Sequence, residues 1–153
     1  VSAERTLVVF QLGEEEYAIT VERVREVVKA DRITRVPGAP PYVRGIINLR
    51  GRVVPVIDLR QRLGLGAVTL ERPRIMVVED GPALVGMLVD RASEVLRLQS
   101  GQLQPPDEVL QGDQNSRFVE AVANLDGRLI VVLRPGELLA REDRQAVAEI
   151  VAT

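Results

Sequence analysis

Two blocks of this sequence occur twice and in the same order, and this duplication limits what the chain can fold into more than any other feature. Val21-Glu22-Arg23-Val24-Arg25-Glu26-Val27 returns as Val89-Asp90-Arg91-Ala92-Ser93-Glu94-Val95, an offset of 68 residues. The turn glycine Gly13 maps onto Gly81, and Ala18 onto Gly86, by the same offset. Asn48-Leu49-Arg50-Gly51-Arg52 returns as Asn124-Leu125-Asp126-Gly127-Arg128, now 76 residues on. The later copy therefore carries eight more residues, and Ser100 to Arg117 is the stretch with room for them as a longer loop. A unit of roughly 65 to 75 residues is small for an independent domain. The 153 residues are thus expected to form two like units that share buried surface.

Local signals within each unit are those of strands, which makes the fold class all-β. Leu7 to Leu12 is apolar and β-branched, Gly13-Glu14-Glu15-Glu16 is a turn, and Tyr17 to Thr20 resumes an extended pattern. Val21 and Val24 are spaced for a single helical turn, and Glu26 to Val28 reads as a strand. Asn48 to Asp58 forms a hairpin that turns at Arg50-Gly51, with Pro55 marking the outgoing strand as an edge or bulged one. Val36-Pro37-Gly38-Ala39-Pro40-Pro41-Tyr42 reads as a rigid extended connector. Short strands punctuated by Gly and Asn predict one small barrel per unit, at 1–66 and 67–139, with strands free to cross between them. Leu139, Val147, Ile150 and Val151 recur at helical spacing, so 140–153 is expected to be an amphipathic terminal helix.

Chemistry is narrowly bounded by the absence of both His and Cys. No imidazole is available as a general base near neutral pH, no thiolate can attack, and no zinc, copper, haem or iron–sulfur site can form. Only carboxylates remain as metal ligands, and the Glu14-Glu15-Glu16 triplet reads as a solvated turn. Gly64-Leu65-Gly66 lacks the remainder of a phosphate loop, and none of Ser2, Ser93, Ser100 or Ser116 sits between spaced glycines as a nucleophile would. Lys29, the lone lysine and the one conceivable Schiff-base former, stands beside Asp31 and Arg32 and reads as an ordinary surface charge. No catalytic residue, metal or cofactor is expected. A net charge of -2, with two Phe, two Tyr and no Trp, argues against nucleic acid as partner. The apolar run Leu129 to Leu133 is far too short to span a bilayer. No secretory signal is visible, which predicts a cytoplasmic protein without direct membrane insertion, and Val1 in place of Met suggests a trimmed or excised chain.

The informative residues are then those of a binding surface. Glu26 lies in a strand and Arg50 at a hairpin tip; brought together they would form an ion pair, whose default meaning is a surface salt bridge. Glu26 keeps its counterpart in Glu94, whereas Arg50 becomes Asp126. Two units with one skeleton and opposite charge at the same hairpin should not hold the same partner.

The segments Val8-Val9-Phe10-Gln11-Leu12-Gly13, Val24-Arg25-Glu26-Val27, Ile33-Thr34-Arg35-Val36-Pro37, Val43-Arg44-Gly45-Ile46-Ile47-Asn48-Leu49-Arg50-Gly51 and Val54-Pro55-Val56-Ile57-Asp58-Leu59-Arg60 resemble the CheW family of chemotaxis coupling proteins. Val85-Gly86, Val89-Asp90 and Glu94-Val95-Leu96 extend the resemblance, which covers about Val8 to Leu139. It implies two five-stranded barrels on a shared hydrophobic core, with short helical turns. It also implies a non-enzymatic adaptor coupling the cytoplasmic helical tip of chemoreceptors to the regulatory domain of a CheA-type histidine kinase, in arrays at the inner face of the membrane. Carried across, the receptor-groove and partner-binding candidates are Val24, Glu26, Gly45, Asn48, Arg50, Gly86 and Val95. Small Gly45 and Gly86 would let a helix approach closely, with Val24 and Val95 as apolar contacts. Leu133-Arg134-Pro135 departs from the family, which commonly has an acidic residue after the last strand; this could mark a paralogue serving a pilus or biofilm pathway. Rival readings are the excised regulatory domain of a CheA-type kinase, an adaptor fused to a receiver domain, and a small-molecule-binding or hydrolytic double barrel.

Overall fold

A computed structural model of the chain describes residues 4–65, 72–106, 117–138 and 141–152. The β-branched runs fold as β1 (Glu4–Leu12), β2 (Glu15–Thr20), β3 (Val24–Lys29), β4 (Val43–Leu49), β5 (Arg52–Asp58), β6 (Arg74–Asp80), β7 (Ala83–Val89), β8 (Arg91–Gln99), β9 (Leu103–Gln104), β10 (Val119–Leu125) and β11 (Arg128–Leu133). Single 3-10 turns stand at Val21–Arg23, Ser100–Gln102 and Pro135–Glu137. Asp58 caps the short helix α1 (Leu59–Arg62) by accepting from the Gln61 amide at 3.2 Å. The terminal helix α2 spans Arg141–Ala152.

The strands form two sheets, ordered β8-β1-β2-β11-β10-β9 and β3-β6-β7-β5-β4. This is the repeat, with its parts exchanged. Each half supplies a hairpin, a strand and a second hairpin, and the first hairpin of each half is inserted into the sheet of the other. The sheets therefore do not follow the division at residue 66: β1 and β2 join strands of the later half, while β6 and β7 join strands of the earlier half.

Register is conserved ladder by ladder. Val9 faces Glu94 as Val77 faces Glu26, and both ladders then slip by one residue at the equivalent bulge. The parallel pair Ala18 and Val132 has its counterpart in Gly86 and Val56. Tyr42 and Phe118 are also equivalents: their carbonyls accept from the Asp58 and Arg134 amides, each at 2.8 Å. The Arg62 guanidinium lies 4.7 Å from both ring centroids.

Within the described residues neither ladder closes into a ring, yet both sheets curl. β8 and β9 occupy opposite edges but are joined by Ser100–Gln102 alone. Crossing a flat sheet of that width needs about 24 Å, whereas so short a connection reaches only about 14 Å. In the other sheet the chain beyond β3 returns to the far edge, where Thr34 and Ile46 exchange backbone hydrogen bonds at 2.8 Å. The second sheet has the five strands the family resemblance implies, and the first adds the two-residue β9.

Strand alternation builds three cores. Leu7 and Val9 point into the first sheet's own core, with Ala18, Leu98, Ile130 and Val132. Their equivalents Ile75 and Val77 point into the second, with Ile47, Val54, Val56 and Leu88. The opposite faces meet in a shared core that includes Phe10, Ile19, Ile57, Met76, Met87, Phe118 and Leu133. Val147 of α2 enters this core, and Arg144 of the same helix pairs with the buried Asp80 at 2.6 Å.

Two local expectations are corrected. The 36–42 connector is turned rather than extended: Gly38, at φ +84°, lets the chain bend after Pro37, and the Ala39 amide reaches back to Val36. β5 is an interior strand despite Pro55, because its parallel ladder to β7 starts only at Val56. The bulge lies in the partner strand β4, between Val43 and Gly45. Of the sequence features named above, Val1, Ser2, the stretches 66–71 and 107–116, and Leu139 fall outside the described residues.

Tyr17, in the shared core, carries a pH signature. Burial pushes its phenol above the ordinary value of 10.0; the hydrogen bond to Glu15 and that carboxylate's charge add to the rise, and Arg60 opposes it. The stabilising, protonated form is fully retained below the unfolded value. Stability should thus fall with rising pH once the unfolded phenol begins to ionise, by up to about 1.4 kcal/mol per pH unit. Urea titrations above pH 10 are expected to show this slope and to lose it in Tyr17→Phe; identical slopes would contradict the assignment.

Candidate functional site

The first hairpin places its arginine by turn chemistry. Arg50 and Gly51 both adopt positive φ, 51° and 87°, as a two-residue reversal with the twist of its strands requires. Asn48 holds the turn, its Oδ1 accepting from the Gly51 amide at 2.8 Å. From this tip Arg50 makes a two-pronged contact with Glu26, at 2.6 Å and 3.1 Å. β3 and β4 stand at opposite edges of their sheet, so this pair spans the gap across which the sheet curls. The Arg50 side chain is 79% exposed, which puts the pair in the surface class worth roughly 0.2–1 kcal/mol. Its larger consequence is presentational: a guanidinium is held in one place at the surface.

The second hairpin keeps the geometry and changes the charge. Asp126 has φ 53°, and Asn124 accepts from the Gly127 amide at 3.2 Å. Glu94, on the edge strand β8, is met instead by Arg128 of the interior strand β11, two residues beyond Asp126, which also pairs with Glu16 of the adjacent β2 at 2.6 Å. Hydrogen bonds to Glu16 and then Glu94 hold the Arg128 guanidinium above its usual value. Sequence comparison alone aligned Asp126 with Arg50 but missed Arg128 as the partner of Glu94. The reach of a side chain from the neighbouring strand carries no sequence signal.

The remaining candidates separate by burial. Val24 and Glu26 are half-buried on β3, Asn48 and Arg50 are exposed, and Gly45 and Gly86 are buried. A Cβ on Gly45 would overlap the Thr34 carbonyl oxygen and stand 2.8 Å from Ile33 Cγ2; one on Gly86 would stand 2.7 Å from Ile75 Cγ2. The chain itself thus makes the close approach at both glycines. Val95 lies on β8, in the sheet opposite the other six, and is 62% exposed.

Three exposed apolar residues escaped the sequence reading: Val27, Val53 and Leu129. The repeat could have found them. Val27 and Val95 are one equivalent pair, Val53 and Leu129 another, so each sheet presents the same two apolar positions to solvent. Of the acidic triplet, Glu15 accepts from Tyr17 at 2.8 Å and Glu16 from Arg128. Among the described residues no group of three carboxylates is placed to hold a metal ion, and no helix is long and apolar enough to cross a membrane.

The sequence profile of the CheW-like domain matches residues 6–143. The chemotaxis protein CheW of Bacillus subtilis is 35% identical over 141 residues, covering 92% of this chain and 90% of that protein. CheW of Helicobacter pylori is 36% identical, with 87% and 80% covered. A crystal structure of the scaffolding protein TtCheW from Thermoanaerobacter tengcongensis superposes with a TM-score of 0.83 at 36% identity, covering 92% and 96% of the two chains.

Proposed function

Because this chain belongs to the CheW-like domain family and is accordingly a non-enzymatic chemotaxis adaptor, we propose that it joins two particular proteins, the regulatory domain of a CheA-type histidine kinase and the helical tip of a chemoreceptor. One observation carries this reading. The two sheets expose apolar residues at equivalent positions, Val27 with Val53 and Val95 with Leu129, but flank them with unlike charge, Arg50 on one hairpin and Asp126 on the other. Equal skeletons with unequal rims favour two different partners over two copies of one. Recruitment to receptor arrays at the membrane face follows from the receptor contact.

Calorimetry with a purified receptor tip and, separately, the kinase regulatory domain tests the bridge directly. Saturable binding to both is expected, and binding to neither would end the proposal. Within it, Arg50→Ala should weaken receptor binding about tenfold, as loss of a charge-assisted contact does. Arg97→Ala should change little, since its pairing with Glu4 is long, 3.9 Å, and 80% exposed on the arginine side. Equal affinities for the two variants, at matched melting temperatures, would remove Arg50 from the contact.

A further inference from the structure

The duplication supplies a reference for the junctions between hairpins, because the residues there have counterparts in known surroundings. At one junction the β1–β2 turn meets the start of β8 and the helix α1. The Gly13 amide donates to Asp90 Oδ2 at 2.5 Å, and the Asp90 amide donates to the Gln11 carbonyl at 3.0 Å. The Arg60 guanidinium fills the remaining space, 3.5 Å from the Asp90 carboxylate and only 12% exposed. Its Nη1 lies 2.9 Å from where a Cβ on Gly13 would stand.

The equivalent junction lies where the β6–β7 turn meets the Val21–Arg23 and Pro135–Glu137 turns. Gly81 stands for Gly13, Glu22 for Asp90 and Arg23 for Arg91, but Gly136 stands for Arg60. The filling side chain is missing. A Cβ on Gly81 would meet nothing within 4 Å, and a cleft of about 580 Å³ opens there.

Its walls are partly neutralised from within. Arg5 pairs with Glu120 at 2.6 Å, and Asp80 pairs with Arg144. Glu22 and Glu137 have no ion pair with another described residue.

From this we infer that the cleft is an arginine socket: it seats the guanidinium of an arginine presented by a partner protein, in the place that Arg60 fills from within the chain at the other junction. Glu22 sits at the position of the carboxylate that faces Arg60, and the glycine turn beside it is unobstructed. Arg23 does not oppose this, since its counterpart Arg91 borders the junction that already holds an arginine. Arg134 replaces Asp58 and adds a positive charge, but Glu137 replaces Gln61 and returns a negative one on the same turn. An acidic occupant would face Glu22 and Glu137, the two lining carboxylates with no ion pair among the described residues. The lining shares none of the seven candidate contact residues of the adaptor, so the socket stands or falls apart from the receptor and kinase reading.

The test is a chemical-shift titration of the full chain with three blocked tripeptides, Gly-Arg-Gly, its citrulline isostere and Gly-Glu-Gly. The arginine peptide is expected to give saturable shifts at the Glu22, Gly81 and Gly136 amides, with affinity at least about tenfold above citrulline, because citrulline keeps the shape and loses the charge. Glu22→Gln should weaken it by a similar factor. Gly136→Arg supplies the missing side chain from within and should abolish the shifts while leaving the protein folded by circular dichroism. If Gly136→Arg does not fold, the Glu22→Gln and citrulline comparisons decide. Absence of saturable shifts, equal affinity for citrulline, or preference for the glutamate peptide would each overturn the socket.

Discussion

Gly45→Ala is expected to cost about 2 to 6 kcal/mol of stability, the sum of forcing a side chain onto a disfavoured backbone and of overpacking a buried site. Gly45 has φ +154° and lies buried in β4, where its neighbour Ile46 exchanges both backbone hydrogen bonds with Thr34. The overlapping atom is the Thr34 carbonyl oxygen, part of that closure and unable to rotate away. For a chain of this length the melting temperature should drop by about ten degrees or more. Gly51→Ala is the control: its φ of 87° also penalises alanine, but no atom lies within 4 Å of the added carbon. It should cost about 1 kcal/mol, the backbone term alone. Urea denaturation of the two variants separates the contributions, and equal losses would mean that the curled edge shifts freely.

The second large effect concerns binding. Val27→Asp is expected to weaken the receptor contact by about 30-fold or more, the loss typical of a buried anchor in an interface centre. Its repeat equivalent Val95→Asp should cost less than about threefold, because the hairpin on its sheet carries Asp126 in place of Arg50. Both positions are solvent-exposed, so both variants should keep their stability within about 1 kcal/mol. Calorimetry against the receptor tip reads the difference. Equal losses would show that the sheets are interchangeable as docking faces, and the division of labour would go with it.

What could be read from the sequence was what is local. Arg50-Gly51 and Asn124-Leu125-Asp126-Gly127 announce their turns by residue type, and the strand runs announce themselves by β-branched alternation. The Glu26–Arg50 pair could be anticipated because strand and hairpin positions were both legible. The exchange of hairpins was not, because β2 pairs with β11 and β7 with β5 through parallel ladders between segments far apart in the chain, and side-chain pattern is the same whichever hairpin fills the slot. Nor could Gly45 and Gly86 be assigned. A small residue that admits a partner and one that admits the chain's own Thr34 or Ile75 look alike until the neighbour is known. Arg128 was hidden for a similar reason: its register set it between Glu16 and Glu94, and register is a property of the pairing.

The inserted hairpins give the chain the logic of a swapped dimer fused into one polypeptide. A peptide carrying one repeat would hold a gap between its strand and its second hairpin, and could fill it only by borrowing from another copy. The linkage through residues 66–71 turns that encounter into an intramolecular one, at an effective concentration on the order of millimolar. Evolution of either half is consequently constrained by the other's interior, and a lesion in β1 or β6 injures the sheet its own repeat does not own.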